Sequence, residues 1–108
     1  MNSITYNETI AALSNDWIEI PTLGRRSSFS VKVEKNEILI RNSSGKIFDI
    51  TKKHWEKVMN RVEELPVEDR QKTSYYAEGK EKYNWEEIPH RISSPYVPAI
   101  LRYLITTQ

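Results

Sequence analysis

Cysteine is absent from this chain of 108 residues, which excludes a disulfide framework, a zinc–thiolate site and a thiol nucleophile together. The same absence fits a reducing cytoplasm, the compartment expected here. Glycine occurs only at Gly24, Gly45 and Gly79, too sparsely to build a glycine-rich loop around a nucleotide phosphate. With only His54 and His90 available, triad and zinc-hydrolase chemistry have little to draw on. No window approaches the ~18 apolar residues that would span a bilayer, and residues 1–14 carry neither a basic leader nor a long apolar run, so neither membrane insertion nor signal-directed secretion is expected. A net charge of +1 argues against indiscriminate binding to nucleic acid.

The chain has ordinary globular composition, with 38% hydrophobic and 29% charged residues, and its length suits a single domain over 1–108. Thr5 and Glu8 have the spacing of a capping box, in which each side chain satisfies a backbone N–H at a helix start. Behind them Tyr6, Ile10, Leu13 and Trp17 recur at helical spacing, which places them on one face with core packing as the default, and the helix is expected to fade at Ser14 to Asp16. Alternation over 17–20 predicts a brief strand. From 28 to 50 the period is two: Phe29, Val31 and Val33, then Ile38 and Ile40, then Ile47, Phe48 and Ile50, separated by polar turns at 34–37 and 42–45. Thr51 can cap a second helix, along which Trp55, Val58, Met59, Val62 and Leu65 form the clearest apolar stripe in the chain before Pro66 ends it. The C-terminal residues 97–105 read as a helix apolar on most sides, either central to the core or shared with a second subunit. The expected fold is therefore α+β: a short antiparallel three- to four-stranded meander packed against an amphipathic helix, with helices at both termini.

Charge is unevenly placed. Residues 24–61 hold ten basic and four acidic side chains, a net of +6, so the remainder carries −5. Lys53, Lys57 and Arg61 recur every four residues on the second helix, a like-charge row that costs a few tenths of a kcal/mol per pair. Phosphates could neutralise it. Together with Arg25, Arg26 and Lys46, and with the hydroxyls of Ser27 and Ser28, the row makes a candidate phosphate-contacting surface for DNA or RNA. The plainer account has Glu56, Glu64 and acidic residues of the flanks neutralise it within the chain.

Tyr75, Tyr76, Tyr83 and Trp85 crowd a charged segment without clear periodicity. They are candidate partner or ligand contacts, because Tyr and Trp bring large contact area with a polar tip; alternatively they pin a long connection to the core. Glu86, Glu87 and His90 approach a metal-ligand spacing, but Pro89 breaks the register and no second set matches it. Asp16, Glu78 and Lys80 fit a nuclease pattern only as loosely as chance allows. No catalytic residue, metal or cofactor is therefore expected. The leading expectation is a small non-enzymatic interaction module acting as a homo-oligomer, most simply a dimer. A nucleic-acid-binding accessory protein is the alternative, and an aromatic small-molecule pocket lined by Trp17, Trp55 and Trp85 is a further one.

Overall fold

The computed structural model describes residues 1–72, 76 and 96–107. Helix α1 (Tyr6–Ala12) opens with the expected capping box: the Glu8 backbone N–H donates to Thr5 Oγ1 at 3.1 Å, and the Thr5 N–H donates to the Glu8 carboxylate at 3.3 Å. It ends at Ala12, just ahead of the 14–16 stretch where the sequence has it fade. Leu13 is already extended, because the Ser14, Asn15 and Asp16 cluster offers the backbone competing side-chain bonds, such as Asp16 N–H to Ser14 Oγ at 3.0 Å. Trp17 therefore leaves the helical face that the spacing predicts for it.

Four strands follow, β1 (Ile18–Pro21), β2 (Ser28–Glu34), β3 (Glu37–Arg41) and β4 (Ile47–Ile50), paired antiparallel in chain order. The short link between β2 and β3 turns through Lys35 and Asn36, both at positive φ (51° and 61°), the signature of a two-residue type I′ hairpin. In the register Ile18, Val31, Ile40 and Phe48 share one row, and Val33, Ile38 and Ile50 the next, so one face collects most of the apolar residues, with Leu39 and Ile47 on the other.

Helix α2 (Lys52–Glu64) is capped by Thr51, whose hydroxyl accepts from the His54 N–H at 3.2 Å. Its apolar stripe lies in one buried cluster with the sheet's apolar face, α1 and the C-terminal helix α3 (Val97–Thr107). Trp55 is fully buried there, and its indole N–H donates to the Ile4 carbonyl at 2.7 Å, fastening the N-terminal segment to α2. Tyr6 donates its hydroxyl proton to the Ile50 carbonyl at 2.8 Å, fastening α1 to β4. Val97, Ile100, Leu101 and Leu104 of α3 are buried within the chain itself, so of the two roles open to an apolar C-terminal helix, this one is central to the core. No helix among the described residues is long and apolar enough to cross a membrane.

Candidate functional site

Strand direction decides where the charges go. In a meander the β1–β2 loop and the β3–β4 turn lie at one end of the sheet, and the β2–β3 hairpin lies at the other. The first end therefore gathers Arg25, Arg26 and Lys46, all exposed, with Arg41 at the end of β3. No Asp or Glu occurs in 20–33, in 39–48 or along α3, so among the described residues the loop, the turn and the adjoining helix form a basic end without a carboxylate of their own. The opposite end holds Glu34 and Glu37, paired across the hairpin.

Local structure fixes these groups. In the β1–β2 loop the Thr22 N–H donates to the Ser27 carbonyl at 2.9 Å, and the Arg25 N–H donates to the Thr22 carbonyl at 2.9 Å. Arg25 itself takes φ 59°, a left-handed conformation that non-glycine residues adopt at a cost of about 1–2 kcal/mol. In the β3–β4 turn Asn42 Oδ1 accepts from the N–H groups of Ser44 and Lys46, and Gly45 supplies the positive φ of 84°.

From beneath, Arg102 of α3 reaches the same loop. Its guanidinium donates to the carbonyls of Leu23 and Thr22, both at 3.0 Å, and the residue is only 7% exposed. No carboxylate pairs with it among the described residues. Burial, and after it the nearby charge of Arg25, pull the Arg102 pKa below the ordinary guanidinium value. Arg25 and Arg102 line a cleft of about 270 Å³ with Pro21, Ala99, Tyr103 and Thr106.

The basic row expected on α2 does not survive as an outward-facing strip. Lys53 is exposed and Lys57 half-buried, but Arg61 is only 3% exposed, with its guanidinium 3.8 Å from Glu64. All three are engaged with other groups of the chain. The 3.6-residue period turns a row spaced by four slowly around the helix, so its last member comes to lie near the buried Tyr76. That tyrosine is fully buried and donates to the Arg70 carbonyl at 2.6 Å, which makes it a core anchor rather than a surface contact. Desolvation raises its pKa above the usual phenol value, although the charges of Arg61 and Arg70 oppose the rise. Tyr75, Tyr83 and Trp85 lie outside the described residues, as do Glu78, Lys80, Glu86, Glu87 and His90. Among the described residues no group of His, Asp and Glu could hold a metal ion.

Trp17 stands on the sheet's other face, with Lys32 Nζ 4.8 Å and the Arg41 guanidinium 4.5 Å from its ring centroid. Trp55 is sealed in the core, so these two tryptophans do not line a common pocket. Reasoning from the sequence missed Arg41 and Arg102 as parts of the basic end. Arg41 was legible as the last residue of a strand feeding a turn, whereas Arg102 required the packing of α3 under a loop 80 residues away. No protein-family model matches this chain, and neither a curated protein nor a solved structure matches it.

Proposed function

We infer that this chain is a non-enzymatic binding module whose recognition surface is the basic end of the sheet, and that its partner is the phosphate backbone of a nucleic acid. One observation carries the reading: Arg25, Arg26 and Lys46 lie exposed in two connections at the same end of the sheet, with Arg41 at the end of β3, and neither that loop, that turn nor α3 contains a carboxylate. A local cluster of this kind attracts polyanions whatever the net charge of the whole chain, and the serine hydroxyls beside it belong to the types that contact phosphates. Such interactions position a strand without reading its sequence. A cytoplasmic location, where a cysteine-free chain is at no disadvantage, completes the reading.

The test is fluorescence anisotropy with mixed-sequence oligonucleotides at low salt. Changing Arg25, Arg26 and Lys46 together to alanine is expected to weaken binding by at least about tenfold and to lower the slope of log K against log salt by roughly one for each phosphate left without a cation. The pair Lys53→Ala and Lys57→Ala, on a different face, should change it little. Undetectable binding by the native chain at low salt would overturn the proposal.

Self-association is a second reading, favoured by Ile47, which is 55% exposed on the edge strand β4. A homodimer joined through that edge would give a light-scattering mass above 12.7 kDa, reduced to the monomer value by Ile47→Lys. A native chain that is monomeric at micromolar concentration refutes it.

A further inference from the structure

We propose that the cleft between α3 and the β1–β2 loop is a binding site for a phosphate monoester, holding the phosphoryl group between the guanidinium groups of Arg25 and Arg102. The proposal deepens the basic-end reading and, for the nucleic-acid ligand, rests on it: the cleft would take the terminal phosphate of a strand whose backbone follows the exposed arginines.

Arg102 is the starting point. Its guanidinium has five N–H donors, and two neutral carbonyls, of Thr22 and Leu23, accept from its Nη atoms. Those carbonyls orient the group without neutralising it, and a nearly buried cation that has no counter-charge among the described residues is an unfavourable arrangement unless an anion completes it. Arg25 adds a second positive charge on the same cleft, held there by a loop conformation that strains its own backbone. Two like charges on a concave surface with no acid among the described residues of its lining form a site for a multiply charged anion.

Size and charge narrow the ligand class. At about 270 Å³ the cleft is below the roughly 300–1,000 Å³ of sites that enclose drug-sized molecules, so it suits a single group rather than a whole metabolite. A monoester carries about −1.5 to −2 near neutral pH, matching two guanidinium charges, whereas each internal phosphodiester carries only a single charge. The Tyr103 ring on the wall offers an apolar surface to the group that bears the phosphate.

The experiment has two arms on the full chain. In the first, inorganic phosphate is titrated at constant ionic strength while thermal unfolding is followed; the native chain is expected to gain melting temperature in a saturable way, and Arg25→Ala, at an exposed position, is expected to lose that gain. In the second, oligonucleotides differing only in a 5′-phosphate or 5′-hydroxyl are compared by anisotropy, with the phosphorylated probe expected to bind about tenfold more tightly, the equivalent of ~1.4 kcal/mol, and Arg25→Ala to abolish the preference. Equal affinity for the two probes together with no saturable phosphate shift overturns the cleft while leaving the basic-end reading standing. A phosphate shift without binding of either oligonucleotide supports the cleft and overturns the nucleic-acid reading. A preference that persists in Arg25→Ala overturns the assignment to this cleft.

Discussion

Replacing Trp55 by phenylalanine tests the core where three parts of the chain meet. The indole is fully buried, and its N–H is bonded to the Ile4 carbonyl at 2.7 Å, so the substitution removes both packing and a hydrogen-bond donor. Losing the buried carbons of the pyrrole edge costs about 1.5 kcal/mol at ~0.8 kcal/mol per buried methylene. The stranded Ile4 carbonyl, part-buried, adds about 1–2 kcal/mol. A residual void of roughly 40 Å³ adds about 1 kcal/mol at ~24 cal/mol per Å³. The expected loss is therefore ~3–5 kcal/mol, a large share of the ~5–15 kcal/mol that stabilises an ordinary domain. Urea unfolding followed by far-UV circular dichroism measures it, with a lowered midpoint at unchanged slope. A loss below ~1 kcal/mol in the full chain would refute the burial of the indole and its bond to the Ile4 carbonyl.

Three further outcomes follow from local geometry. Converting the β2–β3 turn to Asn-Gly by Lys35→Asn with Asn36→Gly relieves a strained lysine in the left-handed region and should stabilise the fold by about 1 kcal/mol; a loss of stability in urea titration would exclude the type I′ turn. Thr51→Ala removes the cap of α2 and should cost about 1 kcal/mol, whereas Thr51→Ser should retain most of it; equal losses would count against the cap. Tyr76 has a raised pKa in the folded state, so above the ordinary phenol value of about 10 the unfolded chain releases a proton that the folded chain keeps, and stability falls as pH rises through that range. Tyr76→Phe should flatten this alkaline decline, and an unchanged slope of unfolding free energy between about pH 10 and 11 would contradict the burial of its hydroxyl.

The sequence by itself determined which segments are helix and which are strand, because short-range physics sets those periods. The capping box at Thr5 and Glu8, the alternation through β2 and β3 and the stripe from Trp55 to Leu65 are all local, and all appear where the spacing put them. Local reasoning ended α1 close to the turn-forming Ser14, Asn15 and Asp16 but gave Trp17 a place in the core by its spacing, whereas the ring lies against cations on the sheet's other face. The candidate site was legible in part: Arg25, Arg26 and Lys46 were visible as basic loop residues, but not as neighbours. Only the antiparallel order of the strands brought their two connections to one end, and only the docking of α3 placed Arg102 beneath Thr22 and Leu23. The same tertiary packing buried Arg61 and Tyr76, for each of which the sequence left open both a surface contact and a role within the chain. Burial and convergence are properties of segments distant in the chain, and no residue's immediate neighbours encode which surface another segment will cover.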